Sequence, residues 1–325
     1  MGRGAVLVEK YINIHSLPFG EEASFNQKKD IKIYALPFGK ETNISQKNIL
    51  ILPPTLRGGV FKNIMPAWLS RSELLVGKEG IDILQNAHVL VVGLGGVGSF
   101  AAEYICRSGV GEMTIVDGDV VDPTNRNRQL PALATNHGES KAEIMAERLM
   151  AINPDLKLHV IKEFLDPKRC QEILSTKFDY IMDCIDSVTP KLTLLSTAYE
   201  QKQRIVSSMG AGGKIDPTKI KVADLFDTYE CLFAQYVRKR IKKLGVSDGI
   251  KAVFSTESVM RESLILTDGN NFKRSAYGTI SYLPAAFGGV CASVVIRDLL
   301  GYPIALEKRP ASIRTKSKIK VKSNE

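Results

Sequence analysis

Between residues 89 and 129 the chain places glycines, carboxylates and cations at spacings that suit a bound nucleotide. An apolar run at residues 89–92 reads as a buried strand. It breaks into Gly93-Leu94-Gly95-Gly96-Val97-Gly98, and residues 99–108 read as the helix behind it. Gly93 permits a tight turn, Gly95 lets backbone approach a phosphate, and Gly98 lets the helix pack against the strand. The helix N-terminus adds free N–H groups and a positive dipole for an anion. Asp117 ends the next apolar run, residues 113–116, where a carboxylate accepts hydrogen bonds from ribose hydroxyls. NAD and ATP share that ribose, so Asp117 does not choose between them.

The cations choose. Splitting a phosphoanhydride puts negative charge on the departing pyrophosphate, which needs Arg, Lys or a metal nearby; hydride transfer has no such need. Arg126 and Arg128 follow Asp117 in the run Asn125-Arg126-Asn127-Arg128-Gln129, and Lys141 comes near the start of a helix predicted at 139–152. A further buried strand, residues 180–184, runs into Asp183-Cys184-Ile185-Asp186-Ser187. A carboxylate at that edge of a parallel sheet can hold Mg²⁺ on ATP phosphates. Each residue also has a plain structural reading. The arginine pair could be a solvated face, and Lys141 a first-turn lysine, although the helix dipole disfavours a cation there. Asp186 could cap a helix at 188–202. Falling together after one glycine turn, they favour ATP.

The series GLGGVGS, IVDGD, TNRNRQ, ESKAE and CIDS resembles the ubiquitin-activating-enzyme-like superfamily, whose bacterial members include ThiF, MoeB and HesA. Those proteins adenylate a carboxylate with ATP and Mg²⁺. Five further segments resemble one branch, the tRNA threonylcarbamoyladenosine dehydratases. They are RSELLVGKEGID at 71–82, AINPD at 151–155, IDSVTPK at 185–191, GAGGKIDPTKI at 210–220 and VFSTE at 253–257. The resemblance spans about residues 70–301. It implies that Gly93, Gly95, Gly96 and Gly98 line the phosphates, and that Asp117, with Asp119 beside it, holds the ribose. Asn125, Arg128, Gln129 and Lys141 would contact the phosphates, Arg128 and Lys141 being catalytic, and Asp186 would hold Mg²⁺. Arg71 matches an arginine that reaches into the partner subunit's ATP site in a homodimer. Arg126 sits at a variable position and stays outside this set. The implied reaction is ATP-dependent dehydration of N6-threonylcarbamoyladenosine at position 37 of tRNA, through adenylation of its carboxylate. Whether a cysteine desulfurase system is a further partner stays open.

Two departures bear on that expectation. Ubiquitin-type activators use a cysteine nucleophile, but none of Cys106, Cys170, Cys184, Cys231 and Cys291 lies in a motif that marks one. Cys231, before a basic helix, comes nearest, and nothing in the sequence marks it as an activated thiol. Many sulfur-carrier adenylyltransferases hold structural zinc with two Cys-x-x-Cys pairs, and the chain contains none. His15, His88, His137 and His159 form no ligand spacing either, so no zinc is expected. Three rivals stand behind the main reading. An adenylyltransferase for a small sulfur-carrier or ubiquitin-like protein would share the ATP site. A noncatalytic nucleotide-binding scaffold is disfavoured by intact Arg128, Lys141 and Asp186, and a nicotinamide dehydrogenase leaves those charges unexplained.

The net charge of +9 divides unevenly along the chain. Residues 1–64 carry nine Lys+Arg against five Asp+Glu, and residues 310–325 carry five against one, so the remainder is close to neutral. One dense basic stretch stands out: Arg238, Lys239, Arg240, Lys242 and Lys243, after Phe233 and Tyr236. By composition it is a solvated helix face. With the resemblance it becomes a tRNA-binding helix, suited to the phosphates of an anticodon stem-loop.

The elements that position these residues follow from periodicity. Strands centred on Leu90, Ile115, Leu158, Ile181 and Ile205 alternate with helices from Arg71 onward. This predicts an α/β, Rossmann-like doubly wound sheet, parallel in its first half and extended by mixed or antiparallel strands at 219–223 and 252–255. A single ATP-binding adenylating domain is expected over 65–309, with a basic disordered tail at 310–325. Residues 275–296 contain no charge, but Pro284, Gly288 and Gly289 make a poor membrane span, and a buried helix at 284–300 is expected. The first 64 residues stand apart: Leu17-Pro18-Phe19-Gly20 recurs as Leu36-Pro37-Phe38-Gly39. This leader is expected to be poorly ordered, or misannotated with translation starting at Met65. It has no signal-peptide pattern, and with scattered cysteines the chain is expected in the cytoplasm.

Overall fold

In the computed structural model, which describes residues 66–266 and 275–311, β1 (His88–Val92) sends alternate side chains into two separate cores. Val89 and Val91 join one core, Leu90 and Val92 the other. Both faces of the strand are buried, as a parallel sheet covered by helices on each side requires. The leader with its repeat, and nearly all of the basic tail, lie outside the described residues.

The chain begins with α1 (Ser70–Gln85), broken at Gly77 where φ is +73°, and then enters β1. There follow α2 (Gly98–Arg107), β2 (Glu112–Val116), α3 (Lys141–Ile152), β3 (Lys157–Ile161), α4 (Pro167–Leu174) and β4 (Tyr180–Asp183). Next come α5 (Val188–Glu200), β5 (Ile205–Ser208), β6 (Ile220–Asp224), α6 (Leu232–Ile241) and β7 (Lys251–Ser255). A short ribbon of β8 (Leu264–Leu266) and β9 (Ser275–Tyr277) precedes α7 (Tyr282–Leu299).

The seven-stranded sheet has the order β3-β2-β1-β4-β5-β7-β6, and only β6 runs antiparallel. The expected doubly wound sheet with a mixed edge is therefore present. From β1 the chain winds outward through β2 and β3, then returns to place β4 on the other side of β1. Such a reversal opens a crevice at the carboxyl ends of the strands. The register fixes what stands there. Val92 pairs with Val116 on one side and with Asp183 on the other, so Gly93, Asp117 and Cys184 emerge side by side.

Helix boundaries differ from the expected ones where a side chain caps the start or a left-handed residue follows the end. The helix expected from 139 starts at Lys141, because the Ser140 hydroxyl accepts the Glu143 N–H. The helix expected to reach 202 stops at Glu200, and Lys202 turns left-handed with φ +56°. The basic helix ends at Ile241, followed by one tight turn, Lys242–Leu244, and Gly245 at φ +84°. The uncharged stretch near the end gives a helix from Tyr282, long and apolar enough by composition to cross a membrane. It instead buries Leu283, Phe287, Cys291, Val294 and Val295 in the core shared with α2. Full burial of such a side chain contributes about 1.5–3 kcal/mol, which accounts for its apolarity without lipid.

Candidate active site

The glycine turn is built as its spacing predicts, each glycine for its own reason. Gly93 adopts φ +90°, and a Cβ there would lie 2.9 Å from the Cys184 carbonyl oxygen. At Gly98 a Cβ would stand 1.7 Å from the Gly93 carbonyl oxygen, so α2 could not start so close to β1. Gly96 is pressed against Pro284 of α7, at 3.0 Å. Gly95 differs: its nearest neighbour is Gln129 Nε2 at 3.8 Å, so a side chain would protrude into the cleft rather than into protein. Nearby, the buried Oε1 of Gln129 has no hydrogen-bond partner among the described residues. An open cradle beside an unsatisfied polar atom is the arrangement a bound polar ligand completes.

Asp117 closes the other side of the turn. Its Oδ2 accepts the Leu94 N–H at 2.5 Å and its Oδ1 the Asp119 N–H at 2.8 Å, tying the ends of β1 and β2 together. Burial pushes its pKa up, against the opposing pull of Lys141 and the two N–H groups. Lys141 is 4% exposed at the first position of α3, where the dipole is unfavourable, and Asp119 Oδ2 at 3.0 Å offsets this. Asn125 is buried, its side-chain oxygen accepting the Asp122 N–H in a reciprocal cap. That cap sets up the turn carrying Arg128, whose Nη1 donates to the Thr124 carbonyl at 2.8 Å and to Asn127 Oδ1 at 3.0 Å. Arg126 is exposed and does not line the cleft.

Two aspartates leave β4 and take opposite roles. Asp183 is fully buried, and its Oδ2 accepts from Lys191 Nζ at 2.5 Å and from Ser207 Oγ at 2.6 Å. Lys191, fully buried as well, also donates to the Ser208 carbonyl at 3.0 Å. Asp186 is exposed in the cleft and lies within electrostatic reach of Arg128. Of the two, only Asp186 has the solvent access that a hydrated hard cation needs, so the donor set fits Mg²⁺ through Asp186. The helix behind it starts after Ser187, whose side chain makes no capping hydrogen bond.

Gly93, Gly95, Gly96, Asp117, Asp119, Asn125, Arg128, Gln129, Lys141 and Asp186 line one cleft of about 1190 Å³, which also has a second wall. There Gly210, Gly212, Lys214, Cys231, Phe233, Tyr236, Arg240 and Tyr277 come together. Lys214 was invisible as a site residue in the sequence, although it sits inside the GAGGKIDPTKI segment. The basic helix needs one correction. Arg238 turns back onto Thr228, donating to its carbonyl at 2.8 Å and to its hydroxyl, so it is not part of an open basic face. Lys239, Arg240, Lys242 and Lys243 remain exposed, and Arg240 stacks over Tyr236 at 4.4 Å where both line the cleft.

Arg71 is exposed on α1 and does not line the cleft of its own chain. Cys231 lines the cleft at the start of α6 but is 4% exposed. Cys184 also lines the cleft, and burial pushes its thiol well up. Burial holds Cys106 and Cys291 at about 12 and Cys170 at about 11, so these thiols stay protonated at neutral pH. The histidines hold a surprise that spacing could not reveal. His88 and His159 meet across three strands, with Glu112 between them and all three ligand atoms within 4.8 Å. That carboxylate also takes Lys157 at 2.8 Å and is therefore already balanced by a protein cation.

Comparison with known proteins agrees with this geometry. The model of the ThiF family matches residues 69–323. A tRNA threonylcarbamoyladenosine dehydratase of Bacillus subtilis is 37% identical over 238 residues, covering 71% of this chain and 94% of that protein. The crystal structure of Escherichia coli tRNA N6-threonylcarbamoyladenosine dehydratase, TcdA, in complex with ATP superposes with a TM-score of 0.67 at 37% identity, covering 73% of this chain and 97% of that one. The same protein in complex with AMP gives 0.66 at 36%, with coverages of 75% and 98%.

Proposed function

The chain belongs to the ThiF family, and from that premise we propose that it is an ATP-dependent tRNA threonylcarbamoyladenosine dehydratase. The observation that carries the reading is the convergence of an open glycine cradle, Asp117, Arg128, Lys141 and Asp186 on one cleft that continues to a second, basic and aromatic wall. The 37% identity to a dehydratase extends over 94% of that protein, which supports this above adenylation of a small carrier protein.

ATP would lie with its ribose on Asp117 and its phosphates over the Gly93–Gly98 turn, close to Asn125, Gln129, Arg128 and Lys141. Mg²⁺ held by Asp186 would supply charge neutralisation on those phosphates. The threonyl carboxylate of the modified nucleoside attacks the α-phosphorus; the bond to the β-phosphate oxygen breaks and pyrophosphate leaves. Arg128 and Lys141 stabilise the charge that develops there. A carbamoyl nitrogen of the same nucleoside then attacks the activated carbonyl, losing its proton and expelling AMP. The oxygen lost from the nucleoside leaves on AMP, so the nucleoside is lighter by one water. This ring closure is intramolecular and gains from high effective molarity. It needs no protein nucleophile, in keeping with the buried thiols.

Lys239, Arg240, Lys242 and Lys243 at the rim would meet the phosphates of the anticodon stem-loop, with Tyr236 offering a ring for stacking. Exposed Arg71, beside Leu74 and Leu75 at 89% and 82% exposure, marks α1 as the face a second copy would cover in a homodimer. The five unpaired cysteines and a tRNA substrate suit the cytoplasm. The test is AMP release by the purified chain with ATP, Mg²⁺ and tRNA carrying threonylcarbamoyladenosine. It should depend on the modification and produce a nucleoside lighter by one water, and Lys141→Met should slow it about 10²–10³-fold. AMP formation at the same rate with unmodified tRNA would overturn the assignment.

A further inference from the structure

Three described lysines are buried, and only one of them makes no ion pair among the described residues. Lys141, 4% exposed, pairs with Asp119, and Lys191, fully buried, pairs with Asp183. Lys214, 2% exposed, makes one hydrogen bond, from Nζ to the Ser255 carbonyl at 3.0 Å. An ammonium has three donors, so two are left without a partner among the described residues. The carboxylate that would most readily serve it, Glu257, instead accepts the N–H groups of Ile215 and Asp216 at 3.0 and 2.8 Å.

The position of Lys214 is built rather than incidental. Gly213 precedes it at φ +71°, and a Cβ there would lie 2.6 Å from Val259 Cγ1. Gly212 is pressed on Tyr277, and backbone hydrogen bonds join Gly213 to Gly278 and to Met260. The lysine is thus fixed on the cleft wall, on the segment after β5, which β4 separates from β1 and its glycine turn. Burial pushes its pKa down from the usual lysine range and outweighs the attraction of Glu257, which makes no ion pair with it.

Resting on the functional reading above, we propose that Lys214 binds the threonyl carboxylate of the modified nucleoside and so distinguishes modified from unmodified tRNA. The ATP phosphates already have Arg128, Lys141 and the glycine turn. The tRNA backbone is too bulky to bring a phosphate to an ammonium this deeply covered. A carboxylate at the end of an extended arm on the base can reach it. An unmodified adenosine would leave the charge buried and unpaired, and a site built around a charged partner rejects the analogue lacking it.

The experiment measures binding of an anticodon stem-loop carrying threonylcarbamoyladenosine, and of the same stem-loop with plain adenosine, to the full chain without ATP. Wild type should prefer the modified form, and Lys214→Met should reduce that preference about 10²-fold by weakening the modified form alone. Lys214→Arg should restore part of it, and both variants should bind ATP as wild type does. A preference unchanged in Lys214→Met would overturn the proposal, as would a parallel loss of ATP binding, which would assign Lys214 to the nucleotide or the fold. No preference in wild type itself would sink the functional reading together with this inference.

Discussion

The middle of the sheet and the wall of the cleft each bury a lysine, and the two are solvated in opposite ways. Lys191 has a complete shell: Asp183, Ser207 and the Ser208 carbonyl take its three donors. Lys214, four residues beyond Gly210, has one carbonyl. The first set locks β4 to β5 and holds the start of the loop that carries Asp186. The second leaves two donors without a partner among the described residues, on a residue that lines the cleft. Burial alone does not tell a scaffold cation from a ligand-binding one; how far its hydrogen bonds are already made does.

The most severe way to break the comparison is at Lys191. Replacing it with Met strands the fully buried Asp183 carboxylate, and loss of one partner of a buried pair costs about 3–5 kcal/mol. Urea unfolding should show that loss, and Asp183→Leu combined with Lys191→Met should recover much of it, because no unpaired charge then remains. If Lys191→Met unfolds like wild type, the network around Asp183 is not what holds β4 against β5.

The same contrast explains what the sequence could and could not reveal. The phosphate turn, Asp117, Arg128 and Lys141 lie within about 50 residues, and turn chemistry with strand ends is enough to bring them together. The alternating strands carried the sheet equally well, down to its mixed edge. Lys214 escaped notice because its status depends on what it lacks, and an absent partner leaves no mark in spacing. Arg238 was misread for the converse reason: a helical face predicts exposure, but Thr228, ten residues earlier, draws its guanidinium inward. His88 and His159, 71 residues apart, meet only through the register of β1, β2 and β3.

At Lys214 the expected stability change has the opposite sign. Burial holds its folded-state pKa below the ordinary lysine value, so between the folded and unfolded pKa values the unfolded chain binds more protons than the folded one. Wild-type stability should therefore gain a rising component with pH across that window, and below it the charged lysine is a net burden on the fold. Lys214→Met removes both effects. Thermal unfolding at neutral pH should give a higher Tm for the variant than for wild type, with the difference shrinking as pH rises towards the ordinary lysine pKa of about 10.4. A Tm lowered at neutral pH would mean that Lys214 already has a compensating partner, and the comparison with Lys191 would collapse.

The smallest effects sharpen the comparison on the rim, where exposure replaces burial as the variable. Arg238 is held by Thr228, whereas Lys239 and Lys242 are exposed and open to phosphate. Each lysine that contacts a phosphate adds to the salt dependence of tRNA binding by counterion release, about 0.7–0.9 in the slope of log K against log salt. Lys239→Ala and Lys242→Ala should each weaken binding several-fold at low salt and flatten that slope by about this amount, with ATP binding intact. Arg238→Ala should leave the slope unchanged and lower thermal stability, since it uncovers the Thr228 carbonyl and hydroxyl that its guanidinium satisfies. A slope that flattens for Arg238→Ala and not for the lysines would place the tRNA elsewhere and return the basic helix to a solvated face.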